Sequence, residues 1–493
     1  MKPIRKDAYQ LFHEGALALA DAERYGMTVN VDYCRNKLTH LQRQAERTYK
    51  NILTEPEIIM WSKKYGDRFN LNSDDQLQNI LYKELNLTPL KSTDKYEDDE
   101  ENKKGSVDFE SLSTIKLPFI NKLLELRKSK TAQDDLNGIL REQVNGIIHP
   151  NFTLHFANSY RSSCRDPNLQ NMPIRDPQLG KTIRQAFIPR PGACFGELDY
   201  GGIEVHGASW YHHDPAMIEY LSDSTKDMHR DMSAQIYKLE SAPPGYWKDK
   251  ATGSGSIVRY CGKNRYVFPV FYGSYYVECA KNLWRSIDDM HLVDPTGRPL
   301  MQHLKSEGIG TFTRFEKHIQ DVEKDFWGRR FKVYSSWKDE WYDEYQKKGY
   351  FDTLTGFQCK GFLRKNQVIN YPPQGTAFHC LLWSFTQISK ELKIQGFKSR
   401  AICQIHDSII LNLYPEEINR VMQICEEIMI YALKDHWEFI TTPITIEAEI
   451  SPVDQTWHDK KVVSNSIDAC SCGIEYLYMV GGDVMCPACG IVP

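Results

Sequence analysis

The stretch that decides the fold is Phe195–Trp210, FGELDYGGIEVHGASW. Up to Asp199 the two sides alternate, with Ala193, Phe195 and Glu197 on one and Cys194, Gly196 and Leu198 on the other, which suits a strand. Gly201 and Gly202 then let the backbone turn, and Ile203 to Trp210 reads as the start of a helix. An aspartate at a strand end can hold a divalent metal at the edge of a sheet, although such aspartates also serve as turn formers and caps. A second stretch, Ala401–Leu413 (AICQIHDSIILNL), sets two isoleucine-rich runs around His406, Asp407 and Ser408. It reads as a hairpin with Asp407 at its tip. Two carboxylates on the rims of neighbouring strands could share two Mg²⁺ ions about 4 Å apart, the arrangement that serves phosphoryl transfer.

DYGGIE together with HDS resembles motifs A and C of family A DNA polymerases, the class of bacterial DNA polymerase I and of many phage replicative polymerases. RSSCRDPNLQN, Arg161–Asn171, resembles the family's TGRLSSxxPNLQN signature, with PNLQN matching in full. Asp227-Met228-His229 looks like the family's DIH segment, and Asn370–Ala377 (NYPPQGTA) like its NxxxQGTA segment. The stretch Arg259–Tyr276, RYCGKNRYVFPVFYGSYY, resembles motif B, RxxxKxxxFxxxYG. Arg259 and Lys263 are four apart and share a helix face, as do Phe268 and Tyr272. Lys263 and Phe268, however, are five apart where the family has four, and one extra residue turns a regular helix by about 100°. We therefore expect a π-type bulge between Asn264 and Val267. Two further departures are Asn366, where many members carry arginine, and Ser408, which replaces the glutamate that usually follows the metal-binding aspartate.

The resemblance implies an α+β fold, a phage-type right hand of thumb, palm and fingers with an antiparallel palm sheet, polymerase portion only. Expected divisions are a helical thumb and its base at 1–155, palm with motif A at 156–218, fingers at 219–345, palm with motif C at 346–457, and a linker with a zinc-ribbon-like module at 458–493. It implies template-directed extension of a primer with dNTPs. Asp199, Asp407 and the Tyr200 carbonyl would hold two Mg²⁺, for which Mn²⁺ can substitute. His229, Arg259 and Lys263 would bind the triphosphate, and Phe268 and Tyr272 would bound the nascent pair. Glu204 would close the pocket against a ribose 2′-hydroxyl, while Arg161, Asn370, Gln374 and His406 would meet the primer-template. Lys122, Arg127, Lys128 and Lys130 could touch phosphates from the thumb, although a solvated helix face explains them equally well. The family's 3′–5′ exonuclease domain would precede residue 1, so proofreading is expected to be lacking here unless the chain is a fragment or pairs with a separate exonuclease subunit.

The C-terminus is read from its own residues. Cys470 and Cys472, then thirteen residues, then Cys486 and Cys489 place four thiols in two close pairs, each followed by glycine. That spacing suits a tetrahedral structural Zn²⁺ better than disulfides in a chain without an export signal. Its partner could be DNA or another replication protein, or the segment could be only a stabilised tail.

At 493 residues, two or three subdomains are expected, and a net charge of −4 neither announces nor excludes a nucleic-acid binder. No apolar run approaches the roughly 20 residues of a membrane span, and the nine scattered cysteines fit reduced, buried thiols. The location expected is the cytoplasm, that of the host cell if the protein is viral. Residues 1 to about 90 read as helical, with Tyr9, Phe12, Ala16, Leu19 and Ala22 near helical spacing, Gly26 as a stop, and Ser73 and Gln76 at capping-box spacing. The polar run Lys91–Ser106, acidic from Glu97 to Glu101, reads as a solvated loop. Two other classes remain in view: a single-subunit RNA polymerase, which dependence on NTPs would reveal, and a non-catalytic replication factor, which Mg²⁺-dependent extension would exclude.

Overall fold

The isoleucine-rich runs form strands because both of their faces are covered: Ile402, Ile409, Ile410, Leu411 and Leu413 are all buried. The structure, a computed structural model, describes residues 3–89, 105–173, 176–248, 253–465, 470, 472–480 and 483–490. The acidic run 97–101 lies outside the described residues. The main sheet holds seven strands among the described residues: β1 (Cys194–Tyr200), β2 (Arg400–Ile405), β3 (Ser408–Leu413), β4 (Ile446–Ile450), β5 (Lys461–Asn465), β6 (Tyr476–Val480) and β7 (Asp483–Met485). All its pairings are antiparallel, in the order β7-β6-β5-β4-β1-β3-β2.

This sheet corrects one expectation: the C-terminal segment is not a module set apart by a linker, because three strands of the same sheet follow the one that carries Glu449. β5 pairs directly with β4, Ala448 opposite Val463, and Val463, Tyr476, Tyr478, Cys470 and Cys486 join the principal core. Burying those side chains against the same core makes the tail an extension of the sheet.

Helix α1 (Arg5–Tyr25) ends at Gly26, whose φ of 68° suits the residue that stops it. Its buried face is Ala8, Leu11, Gly15, Ala18, Leu19 and Ala22, whereas Tyr9 is exposed. Gly15 lets α1 approach closely: a Cβ there would lie 2.7 Å from a Leu382 methyl. α1 thus packs into the principal core. In the stretch expected as the thumb, α2 (Val31–Ile52) packs on α3 (Pro118–Glu142); Leu41, Leu136 and Ile139 join the principal core, and the far ends share a second one that includes Ile52, Trp61, Leu77, Ile80, Phe119 and Leu123. Ser73 caps the next short helix by accepting from the Gln76 N–H, but the Gln76 side chain turns to Trp61 and Arg68 and does not reciprocate. Lys122, Arg127 and Lys128 pair with Glu55, Asp74 and Asp176. These cations brace the thumb and its contact with the palm, which leaves them poorly placed to grip phosphates.

Helix α4 (Ile203–His212) follows β1 and puts Ile203 and Trp210 into the principal core, while α5 (Met228–Tyr237) and α6 (Ser254–Gly262), in the stretch expected as the fingers, surround a second core with Tyr237, Tyr266, Val270, Phe315 and Phe326. The aromatic stretch 315–345 is two helices, Phe312–Asp325 and Lys332–Lys348, joined by a π segment at Phe326–Arg330. Helix α7 (Lys365–Ile394) starts five residues before Asn370 and takes Pro372 and Pro373 into its interior. The Pro372 ring has no N–H for the Val368 carbonyl, and the Trp341 indole N–H supplies that bond at 3.1 Å.

Candidate active site

Two strand ends bring the predicted aspartates together. Asp199 pairs across to Ser408, so Asp407, at the hairpin tip, is the next residue along, and the Tyr200 N–H donates to the Asp407 carbonyl at 3.3 Å. Just past Asp199 the chain must turn sharply and close to β4. A Cβ on Gly201 would sit 2.5 Å from the Thr445 hydroxyl, and Gly202 adopts φ of 63°. His406 takes the left-handed conformation at the other tip, φ 49°.

Among the described residues neither aspartate accepts a side-chain hydrogen bond or ion pair. Burial first, then the negative charges of Asp407, Glu197 and Glu447, raises the Asp199 carboxyl to about 7. Burial and Glu204 raise Asp407 to about 6, against the pull of Arg161. Two carboxylates on adjoining strand ends without side-chain partners among the described residues, Asp199 raised in part by the charge of Asp407, fit a divalent cation, which would relieve that repulsion. Without one, they oppose folding. Both bind protons in the native state that the unfolded chain, titrating near 3.8, has released, so their contribution declines as pH rises from about 4 to about 7. Asp199→Asn should therefore stabilise metal-free protein at pH 8 by on the order of 1 kcal/mol, after discounting for solvent screening, and raise its melting temperature accordingly. The gain should shrink towards pH 4. Melts of both forms in a chelator, at the two pH values, check this; a pH-independent difference would refute it.

The structure places a cationic wall across from the pair. The chain from α6 runs into a π-helix at Lys263–Val267, as the spacing required, and resumes as an α-helix at Phe268–Phe271. Asp227 caps α5 and accepts from Arg259 Nε at 2.7 Å, and that bond, with the Arg230 N–H, holds its carboxyl low despite burial. Lys263 lies 5.1 Å from the Phe268 ring and close enough to Asp199 to lower its carboxyl. His229 packs edge-on to Phe268, and burial and the neighbouring cations push its ring down to about 4. It is therefore neutral at ordinary pH, and its buried Nδ1 has no partner among the described residues.

Glu204, on the first turn of α4, accepts from both Arg161 and the Tyr272 hydroxyl. Asn370 donates to the Tyr272 carbonyl at 3.4 Å, and Gln374 reaches its phenol. Glu204, Phe268, Tyr272, Asn370 and Gln374 line one cavity of about 30 Å³. The sequence reading missed three neighbours. Glu447 stands directly across from Asp199 on β4. Glu197, two residues before Asp199, accepts from the Trp457 indole and from Lys460, and Lys460 also meets Glu449.

The four cysteine sulfurs lie within 4.8 Å of one another, with Cys470 3.4 Å from Cys489 and Cys472 3.4 Å from Cys486. A hydrogen bond from the Cys472 backbone is the largest cause lowering the Cys470 thiol to about 6. The Ala488 N–H points at the Cys486 sulfur. This donor set is compatible with zinc.

The overall fold is that of a nucleic-acid polymerase domain. It is similar to the POL domain of Pol1 from M. smegmatis, solved in complex with primer-template DNA and dNTP, with a TM-score of 0.67 at 20% identity over 90% of this chain and 70% of that one. The profile of DNA polymerase family A matches residues 35–244 and 316–459, so the chain belongs to that family. DNA polymerase I of Lactococcus lactis subsp. lactis is 24% identical over 461 residues, and the thermostable DNA polymerase I of Thermus aquaticus is 25% identical over 430. These cover 90% and 83% of this chain but 45% and 44% of the relatives, so the chain spans about half their length. Among the described residues no helix is long and apolar enough to cross a membrane.

Proposed function

We propose that the chain is a DNA-directed DNA polymerase that extends a primer 3′ end with dNTPs. The observation that carries this reading is the pair of carboxylates, Asp199 and Asp407, on adjoining strand ends without side-chain partners among the described residues, with Lys263 close enough to Asp199 to lower its carboxyl. The family membership, and the primer-template and dNTP named for the similar Pol1 domain, support it.

Asp199, Asp407 and the Tyr200 carbonyl would hold the divalent ions, Mg²⁺ or in its place Mn²⁺. When bound, these supply Lewis acidity at the primer hydroxyl and neutralise charge on the leaving pyrophosphate. Arg259 keeps guanidinium donors beyond the one given to Asp227, and these with Lys263 suit the triphosphate. Neutral His229 offers its unpartnered ring nitrogen beside them. Phe268 and Tyr272 present aromatic faces to the nascent pair. Arg161, Asn370, Gln374 and His406 are assigned to the primer-template. Cys470, Cys472, Cys486 and Cys489 are assigned one Zn²⁺, which when bound supplies a cross-link and no catalysis. Primer extension by the wild type with dNTPs, compared with NTPs, tests the reading; no extension, or preference for NTPs, would sink it.

Glu204 is assigned the sugar discrimination. Arg161 and the Tyr272 hydroxyl hold it beside Asn370 and Gln374, where, as the family resemblance implies, it would close the pocket against a ribose 2′-hydroxyl. Glu204→Ala should raise ribonucleotide insertion relative to deoxynucleotide by about 10-fold or more, the scale of losing one steric and polar contact. Single-nucleotide insertion rates read it, and unchanged sugar selectivity would remove the assignment. Phe268→Tyr should likewise relax discrimination against dideoxynucleotides; equal terminator use by both forms would count against the position of that ring.

A further inference from the structure

We propose that Glu197 is a positioning residue for the catalytic pair, fixing the hairpin tip that carries Asp407 to the strand that carries Asp199. The inference rests on the polymerase reading above. Glu197 and Asp199 project from the same face of β1, since they are two residues apart. Ser408, paired directly with Asp199, lies on that face too. Its hydroxyl is 3.0 Å from Glu197 Oε1 and 2.9 Å from the Ile405 carbonyl on the other arm of the turn. One buried hydroxyl therefore ties both arms of the hairpin and the neighbouring strand together.

Glu197 is itself held. Its Oε2 accepts from the Trp457 indole at 3.0 Å and from the Lys460 ammonium, whose side chain is 3% exposed. Lys460 reaches across to Glu449 Oε2 at 2.7 Å on β4. Three of the four lone-pair directions of Glu197 are taken, one on Oε1 by Ser408 and two on Oε2 by Trp457 and Lys460, whereas those of Asp199 and Asp407 accept no side-chain donor among the described residues, so Glu197 acts as an anchor and not as a metal ligand. The arrangement answers the departure at 408. Where the family places a carboxylate after the metal-binding aspartate, this chain has a hydroxyl there, and the carboxylate bonded to it comes from the adjacent strand. Neutralisation by a buried lysine lets that extra negative charge sit two residues from Asp199. Because Trp457 and Lys460 follow β4 and lead into β5, the same anchor ties the start of the C-terminal extension to the catalytic strand.

The test is the Mg²⁺ dependence of single-turnover primer extension by the wild type, Glu197→Gln and Ser408→Ala. In Glu197→Gln the neutral amide can still meet the Ser408 oxygen, but it takes away the charge that the Lys460 ammonium, the Trp457 indole and the Ser408 O–H answer, so the tie is weakened with volume conserved, and Ser408→Ala removes it. Both variants should raise the half-saturating Mg²⁺ about 10-fold, the scale for removing a partner of a metal ligand, with primer-template affinity kept within about twofold. Lowered melting temperature with unchanged Mg²⁺ dependence would show a structural role only and overturn the proposal. Should Glu197→Gln fail to fold, Ser408→Ala, which removes one hydroxyl, decides alone. A wild type that does not extend primers would defeat the polymerase reading instead, and that control separates the two failures.

Discussion

Asp407→Ala should lower primer extension by at least about 10³-fold while primer-template binding survives. Asp407 is one of two carboxylates that meet at the strand ends, and it has no other work: nothing among the described residues bonds its side chain. Removing it takes away half of the negative charge that would hold the ions. Ion-mediated stabilisation of developing charge amounts to several kcal/mol, and about 4 kcal/mol is a factor of about 10³. The fold should survive, since a buried carboxyl raised by its surroundings is a liability that alanine removes. Comparing extension with primer-template affinity for the wild type and Asp407→Ala reads both. Residual activity above about one tenth would place the ions elsewhere.

How much of this could be read from the residues follows from how local each signal is. Asp199 and Asp407 were legible because strand alternation, glycine turns and a hairpin are short-range patterns. The π-helix after Lys263 was legible as an arithmetic mismatch of one residue against a four-residue repeat. Glu447 was not. ITIEAEI shows that Glu447 and Glu449 share a face, but only the register with β1 decides that Glu447 stands opposite Asp199. Glu197 was counted within the strand, yet its partners Trp457, Lys460 and Ser408 come from two distant segments that no periodicity links. That α7 runs through Pro372 and Pro373 was not legible for a similar reason: the Trp341 indole that tolerates Pro372 is a tertiary neighbour. The thumb lysines and arginine looked free because their acidic partners lie up to 67 residues away.

The cysteine quartet shows the same limit, and it makes the other large prediction. Spacing alone suggested a ribbon beyond the enzyme, whereas the strands between the two cysteine pairs continue the catalytic sheet. Asn419, on a palm helix, reinforces the join by donating to the Gly473 carbonyl at 2.8 Å and accepting from the Glu475 N–H at 3.0 Å. The Val453 N–H bonds to the Pro487 carbonyl at 3.2 Å, beside Cys486. A Zn²⁺ here would cross-link an edge whose inner residues already lie in the palm core. Structural zinc sites bind with apparent free energies of about 10 kcal/mol or more, and that binding energy is folding energy for whatever forms the site. Cys486→Ser should therefore abolish a stoichiometric zinc content, one ion per chain in the wild type. It should also lower the melting temperature sharply, because it removes a buried ligand and leaves three uncompensated thiols. Since β5 to β7 occupy the sheet edge away from Asp407, the loss should melt this edge first. Hydrogen exchange should quicken at Tyr476–Val480 before it does at Ile409–Leu413. A zinc-specific chelator should reproduce both effects in the wild type and add nothing in Cys486→Ser. Zinc-free wild-type protein with an unchanged melting temperature would show that the four thiols are packed there without a metal.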